Sequence, residues 1–462
     1  MAAPVLEGRK VTVVGLARSG LAAARLCLRE RAAVTVTDRR PEAELAPALA
    51  GLEKARRRLG GHDRADFEGA DLGVVSPGVP GSLPELQAAR NRGVPVWSEV
   101  ELGWRFLPGT PVVGITGTNG KSTTTALGAA LLSRDRRTFA GGNLGTPLCE
   151  HVLSGERAEA VVLELSSFQL EGIERLRAQV AAILNVTPDH LDRHGGVEGY
   201  AAAKARLFAT QQPGDVAVAN ARDPRALAMA GASRGERLTF GFGEPAAGAA
   251  RDPGGEPGPE GSALWYTPAS GRAPERYLLR NRALRGRHNR ENAMAALLCA
   301  RAMGVPGEAV QAGLDAFPGL PHRLELVAER GGIEWVNDSK ATNVDSTWVG
   351  LAAFPAGAPR VLLIMGGRGK RAPYTPLREL FAGRVKALLT LGEDGPTVER
   401  ELGDLVPTHA CGDLAGAARR AAALAAPGDV VLLSPACASY DQFRSYEERG
   451  EAFRRLAAEL AR

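Results

Sequence analysis

The sequence predicts an α/β protein of three domains, each built on a mainly parallel sheet flanked by helices. Three observations carry that expectation. The chain has 462 residues, about three domains at roughly 150 residues each. Strand-like apolar runs alternate with Ala/Leu/Arg-rich helical runs along its whole length, the pattern of βα units that feed parallel sheets. Two of the strand-like runs also pass directly into glycine-rich turns, at 15–20 and 114–120, as at the ligand-binding edge of such sheets.

The first domain is expected over 1–99. Lys10–Val14 reads as a strand, Gly15-Leu16-Ala17-Arg18-Ser19-Gly20 as a turn, and 21–29 as a helix. A second strand, Ala33–Thr37, ends at Asp38, and Val74-Val75 enters the loop Ser76-Pro77-Gly78-Val79-Pro80. Strand, glycine turn, helix, strand and acid in that order begin a Rossmann-like domain. The second domain, 100–319, opens with Pro111–Thr116 and its glycine turn, a P-loop ATPase-like start, and continues with strands at 160–164 and 180–186. The Gly- and Pro-rich stretch 248–261 is expected to be a surface loop, and 288–301 a closing helix. The third domain, 320–462, shows strands at 333–336, 361–365, 387–391 and 429–433 between helical runs, again Rossmann-like.

Composition narrows the functional class. Apolar residues make up 44% and charged residues 24% of the chain, a soluble globular balance. No run nears the ~20 apolar residues of a membrane span, and Glu7, Arg9 and Lys10 precede a strand-like stretch rather than a signal sequence. Five scattered cysteines without a C-x-x-C pair indicate neither a disulfide framework nor a structural zinc site, so a reducing cytoplasm is expected. The net charge of +5 is spread among acids, which favours anionic small substrates over nucleic acid. Only seven of the 57 basic residues are lysine. A lysine inside a polar motif is therefore a candidate for chemistry that arginine cannot perform, such as that of a compact or deprotonable amine.

The strongest motif is Gly114-Ile115-Thr116-Gly117-Thr118-Asn119-Gly120-Lys121-Ser122-Thr123. Such a turn directs backbone N–H groups and a helix N-terminus at phosphate oxygens, Lys121 at the terminal phosphates and Ser122 at Mg²⁺. Its spacing departs from G-x-x-x-x-G-K-[ST] because Ile115 stands where the first glycine would be, with Gly114 one place earlier. Glu164 and His190 follow the next two strands and are candidate Mg²⁺ ligands. Lys204 lies in a helical stretch with no acid within four residues, so a solvated face is its default, while the arginine-biased background makes a special role worth naming. Asn289 and Asn292 can read a base or cap their helix. In the last domain, the polar runs at 337–343, 366–370 and 437–443 follow three strands and suggest a second substrate site, with Arg323 available to a phosphate.

Taken together, the runs GLARSG, SPGVP, GTNGKSTTT, GGNLG, ELSSFQLE, NVTPDHLDRH, YAAAKARLF, HNRENAMAA, GLPHRLE, NDSKATN, MGGRGK and SPACASYDQF, in order over 15–443, resemble the Mur ligases. SPG, SSFQLE, NDSKATN and CAS-aromatic-DQF are similar to the D-glutamate-adding branch. The resemblance implies an ATP-dependent amide-forming ligase of peptidoglycan precursor synthesis that acts through an acyl phosphate. Its substrates would be UDP-N-acetylmuramoyl-L-alanine and D-glutamate, and a monomer is expected. It implies ATP contacts from Gly117, Thr118, Asn119, Gly120, Lys121, Ser122, Thr123, Asn289, Asn292, Arg323, Asp338 and Lys340. Two Mg²⁺ ions would be held by Ser122, Glu164, His190 and Lys204, the last as a carbamate formed with CO₂. The nucleotide sugar would meet Leu16, Arg18, Ser19, Asp38, Arg39, Gly78, Asn143 and Gln169. D-Glutamate would meet Thr342, Lys370, Ser439, Tyr440 and Tyr446. Ala17, Arg368, Tyr440 and Tyr446 depart from the usual family residues. Two alternatives stay open at this point: an NAD-linked dehydrogenase built on residues 15–38, and a nucleotide sensor on an inactive ligase fold.

Overall fold

A computed structural model describes residues 3–143, 145–254 and 262–460. The chain divides into two compact units, Met1–Leu278 with Glu291–Leu314, and Leu279–Arg290 with Asp315–Arg462.

The first unit contains two sheets. β1 (Lys10–Val14), β2 (Ala33–Asp38), β3 (Arg56–Leu59), β4 (Leu72–Val75) and β5 (Val96–Ser98) form an all-parallel sheet in the order β3-β2-β1-β4-β5. The strand order reverses at β1, so the turn after β1 and the loop after β4 meet at a switch point, where such sheets bind ligands. Ser76 Oγ donates to Gly15 O there at 2.7 Å. The following helix spans Arg18–Arg29, three residues earlier than expected. Gly20 permits this: a Cβ on it would lie 1.8 Å from Gly15 O, so only glycine lets the helix start against the turn.

The second sheet has nine strands: β6 (Val112–Thr116), β7 (Thr138–Gly142), β8 (Ala160–Glu164), β9 (Val180–Ile183), β10 (Val216–Asn220), β11 (Glu236–Phe242), β12 (Ala249–Asp252), β13 (Ser262–Thr267) and β14 (Glu275–Leu279). Their order is β14-β13-β12-β11-β10-β9-β6-β8-β7. It is parallel from β7 to β12 and turns antiparallel between β12 and β13. Val113, Ile115, Leu163 and Ile183 are fully buried, as expected of central parallel strands covered on both faces. Two expectations need correction. The strand expected over 180–186 stops at Ile183, because Asn185 leaves the sheet to bond the turn after β6. The stretch 248–261 is not all loop: Ala249 and Ala250 are small, buried and paired to β11 and β13. Residues 255–261 lie outside the described residues, as does Leu144 of the GGNLG run.

The second unit holds β15 (Glu325–Arg330), β16 (Ile333–Asn337), β17 (Val361–Gly366), β18 (Val385–Leu391), β19 (Thr408–Gly412) and β20 (Val430–Leu433), ordered β15-β16-β20-β17-β18-β19. All pairs are parallel except the β15–β16 edge. Alternate residues pack on opposite faces, Val336, Leu363 and Leu432 on one and Leu362, Ile364 and Leu433 on the other. The segment Leu279–Arg290 packs here: Arg285 Nη1 lies 2.7 Å from Glu334, and Asn281 Nδ2 donates to Phe317 O at 2.6 Å. Because β16, β20 and β17 are neighbours, the three polar loops singled out in the sequence stand side by side at their carboxyl ends.

Candidate active site

The turn after β6 is shaped by its glycines. Gly117 has φ +151° and would place a Cβ 3.0 Å from Leu184 Cβ; Gly120 has φ +85° and would place one 2.3 Å from Asn292 Oδ1. Asn185 fixes the backbone between them. Its Oδ1 accepts from the N–H groups of Thr118 (3.1 Å) and Asn119 (2.8 Å), and its Nδ2 donates to Asn119 O at 3.1 Å. Gly120 then caps the helix Lys121–Leu132 and, being glycine, supplies no side-chain bond to its first turn, an N-terminus suited to an anion. Lys121 Nζ folds over the turn and donates to Gly117 O (3.0 Å) and Thr118 O (2.7 Å). Ser122 is half-buried and Thr123 buried. Thr124 Oγ1 donates to Asn292 Oδ1 at 3.2 Å.

Lys204 is not on a solvated helix face. The helix Val197–Ala209 turns Tyr200, Ala203, Lys204 and Leu207 inward, one face at helical spacing, and Lys204 is 1% exposed. Its Nζ donates to Gly117 O at 2.9 Å, the same carbonyl Lys121 uses, and to Thr116 Oγ1 at 3.4 Å. It also lies 4.4 Å above the Tyr200 ring, whose hydroxyl donates to Thr118 Oγ1 at 3.3 Å. Burial, and then the nearby Lys121 charge, push its ammonium down to about 7. An amine in this state is substantially neutral at physiological pH.

Glu164 ends β8, beside Ile115 of β6. Asn143 Nδ2 donates to its Oε1 at 2.7 Å, while Oε2 is buried with no partner. Gln169 is buried; its Oε1 closes a capping box with Ser166, and its Nε2 has no partner. His190 stands in a left-handed turn (φ +50°) with its side chain half exposed, 4.9 Å from the Phe168 ring and 6.4 Å from the Tyr200 ring. Among the described residues, no three His, Cys, Asp or Glu side chains gather as a metal cage. A cation here therefore needs further oxygen ligands, as Mg²⁺ does when it sits on phosphates.

At the first sheet's switch point, Leu16 N–H donates to Asp38 Oδ2 at 2.8 Å, and Arg40 bonds both oxygens of the same carboxylate. Burial pushes Asp38 up, but the Arg40 and Leu16 bonds outweigh it and hold the carboxyl at about 2. Arg18, Arg39, Gly78 and Asn143 are exposed and Ser19 is half-buried.

In the second unit, Asp338 is buried, accepting from Ser434 Oγ (2.8 Å) and Leu324 N–H (3.3 Å). Burial raises its carboxyl to about 7. Lys340 Nζ lies 5.4 Å from the Tyr446 ring, and Asn289 Nδ2 donates to Arg285 O at 3.0 Å. Ser439 is buried beside an exposed Tyr440, Thr342 is half-buried, and Lys370 and Arg323 are exposed. Arg368 pairs with Glu393 at 2.9 Å.

The structure thus gathers Lys121, Lys204, Gly117 and Thr118 around one carbonyl, with Glu164 on the adjacent strand. Sequence reasoning missed Asn185, which braces the phosphate turn, and Tyr200, which bonds Thr118 in that turn and lies against the Lys204 ammonium. Asn185 lies inside a quoted run, and its place at a strand end next to the glycine turn was the available signal.

Similarity to known proteins covers the whole chain. Residues 9–98 match the model of a Mur ligase MurD-like N-terminal domain, 115–300 that of a Mur ligase middle domain and 322–437 that of a Mur ligase glutamate ligase domain. The UDP-N-acetylmuramoylalanine–D-glutamate ligase of Anaeromyxobacter dehalogenans is 79% identical over 100% of both chains. The protein of that name from Myxococcus xanthus is 52% identical over 98% of this chain and 99% of its own. Among solved structures, UDP-N-acetylmuramate-alanine ligase MurC of Thermotoga maritima aligns with a TM-score of 0.60 at 19% identity over 98% of each chain. MurF ligase of Thermotoga maritima, in complex with ADP, gives 0.62 at 17% over 99% of this chain and 96% of its own. At these identities the solved structures establish the shared fold.

Proposed function

The chain belongs to the Mur ligase family, and on that premise we propose that it joins D-glutamate to UDP-N-acetylmuramoyl-L-alanine with cleavage of ATP to ADP and phosphate. This is a cytoplasmic step of peptidoglycan precursor synthesis. The observation that carries the reading is the Asn185-braced phosphate turn with two lysines on Gly117 O, one of them the buried Lys204. The two full-length relatives named as UDP-N-acetylmuramoylalanine–D-glutamate ligases support the choice of substrates.

The chemistry explains the parts. A carboxylate does not acylate an amine at neutral pH, because oxide is too poor a leaving group. ATP supplies a phosphoryl group to the alanyl carboxylate, giving an acyl phosphate that the D-glutamate amine attacks as phosphate departs. The protein's task is positioning and charge neutralisation. Residues 117–123 take the phosphates on N–H groups, the helix N-terminus and Lys121. Ser122 and the unmet oxygen of Glu164 fit a hard cation, and that oxygen is the observation the fit rests on. His190 and Lys204 would hold the second Mg²⁺. The neutral Lys204 amine adds to CO₂, forming an N–C bond and releasing a proton, and so becomes an anionic oxygen ligand. Arginine is too basic for that step.

The remaining roles follow the resemblance. Residues 1–99 would hold the nucleotide sugar through Leu16, Arg18, Ser19, Asp38, Arg39 and Gly78, with Asn143 and Gln169 added from 100–319. Asp38 would act indirectly, by orienting the Leu16 N–H. Asn289, Asn292, Arg323, Asp338 and Lys340 would serve the nucleotide. Thr342, Lys370, Ser439, Tyr440 and Tyr446 of 320–462 would serve D-glutamate, and the protein would act as a monomer. The internal bonding of Asp38 speaks against an NAD-linked alternative, since the ribose-binding acid of such folds keeps its oxygens for the sugar.

The test is phosphate release. It is expected only with ATP, Mg²⁺, UDP-N-acetylmuramoyl-L-alanine and an amino acid all present, with D-glutamate far better than L-glutamate, meso-diaminopimelate or lysine. Equal rates with another amino acid would overturn the substrate assignment, and no release under any combination would overturn the ligase.

A further inference from the structure

Arg193 links two segments of the first unit that are far apart in sequence. It lies in the short helix Leu191–His194, immediately after His190. Its Nη1 donates to Pro77 O at 3.1 Å and its Nη2 to Val79 O at 2.8 Å, the carbonyls on either side of Gly78. Nη2 also lies 3.4 Å from Glu171 Oε2, and the guanidinium sits 4.2 Å above the Phe168 ring. That ring packs against His190 and stacks on His194 at 5.6 Å. Glu171 Oε1 meets His194 Nδ1 at 3.2 Å, and His194 Nε2 lies 3.0 Å from Ser167 Oγ.

The planar guanidinium fork bonds the two carbonyls through separate nitrogens while lying flat on the ring, a spread that a lysine's single nitrogen does not reproduce. Within the loop 76–80, Val79 N–H donates to Ser76 O at 3.0 Å and Pro80 O accepts from Leu83 N–H at 3.1 Å, while the Pro77 and Val79 carbonyls are held from the segment Leu191–His194 by Arg193. A cavity of about 1030 Å³ adjoins it, lined in part by Pro80, Gly81, Arg90, Glu171, Arg193 and Arg206. A Cβ at Gly78 would meet nothing within 4 Å.

We propose that Arg193 is a positioning residue that couples the Gly78 loop to His190, so that the nucleotide sugar and the metal–nucleotide each favour the other's binding. The identity of the two ligands rests on the function proposed above; the link between the segments rests on the geometry alone.

Hydrogen exchange on the ligand-free protein tests the link. In Arg193→Met, amides of 76–79 and of 187–194 are expected to exchange faster together, by about tenfold for the loss of bonds worth roughly 1.4 kcal/mol. Arg193→Lys, which keeps charge and length, is expected to show the same pattern more weakly, and it decides the matter if the methionine variant does not fold. Arg206→Met is the control: it loses bonds to Leu170 O and Ile173 O on the same cavity but not the clasp. Calorimetry then gives the coupling. In the wild type, Mg²⁺ with a non-hydrolysable ATP analogue is expected to tighten UDP-N-acetylmuramoyl-L-alanine binding by about fivefold or more, and in the Arg193 variants that ratio falls toward 1. A merely structural residue would weaken both ligands and leave the ratio. Loosening of one segment alone, an unchanged ratio, or the same pattern in Arg206→Met would overturn the proposal. If the nucleotide sugar fails to bind the wild type, the proposed function is what falls, and the exchange experiment still decides the link.

Discussion

Replacing Lys204 with methionine should make the ligand-free protein more stable while abolishing its activity. The ammonium is 1% exposed and its proton affinity falls from the ordinary 10.5 to about 7. Between those values the unfolded chain binds more protons than the folded one, so stability rises with pH across that window. The penalty is whole below pH 7 and is relieved toward 10.5. At 1.36 kcal/mol per pH unit it amounts to about 4 kcal/mol at pH 7 and about 2 at pH 9. Methionine matches the stem but gives up the bond to Gly117 O, worth about 1 kcal/mol net. The carbonyl itself keeps Lys121 as a donor. The expected net gain is therefore about 3 kcal/mol at pH 7, shrinking to about 1 at pH 9. Denaturant titrations of both proteins in CO₂-depleted buffer across pH 6.5–9.5 measure it. A variant less stable than the wild type at pH 7, or a difference that does not change with pH, would refute the reasoning.

Three further outcomes are expected. Asn185→Ala removes the acceptor of two phosphate-turn N–H groups and should raise the Kd of a fluorescent ATP analogue about tenfold, or roughly 1.4 kcal/mol; an unchanged Kd would dismiss the brace. Gly120→Ala forces a Cβ to within 2.3 Å of Asn292 Oδ1 at φ +85°. It should cost about 1–3 kcal/mol of stability, read as a lower thermal midpoint that ADP no longer raises. Arg449 is 1% exposed and donates to Ser339 Oγ and O and to Cys437 O, tying the loops after β16 and β20. Arg449→Met should raise the KM for D-glutamate at least about tenfold, the equivalent of one or two such bonds, with the KM for the nucleotide sugar little changed; equal effects on both would show a general loss of structure instead.

What could be read from the sequence was local. The glycine turn at 114–123 lies between a strand and a helix that pattern alone reveals, and Glu164 and the three polar loops of the last sheet follow strands with clear apolar runs. What the local pattern could not show depends on contacts between distant segments. Lys204 has no acidic neighbour to mark it, and its burial comes from helix Val197–Ala209 packing over the phosphate turn, 80 or more residues away in sequence. Asp38 shows another limit of local reading: the spacing marks the acid, but not that an arginine two residues on and the Leu16 N–H bond its oxygens. β12 was hidden because two alanines at the edge of a Gly/Pro-rich stretch carry no strand signal until β11 and β13 flank them.

The most direct test of the central claim follows the oxygen atoms. UDP-N-acetylmuramoyl-L-alanine labelled with ¹⁸O in its alanyl carboxylate is incubated with the protein, ATP, Mg²⁺ and D-glutamate, and the liberated phosphate is weighed by mass spectrometry. If the turn ending at Lys121 directs the terminal phosphoryl group onto that carboxylate, each phosphate carries one labelled oxygen. Phosphate released at the same rate without the label would contradict it.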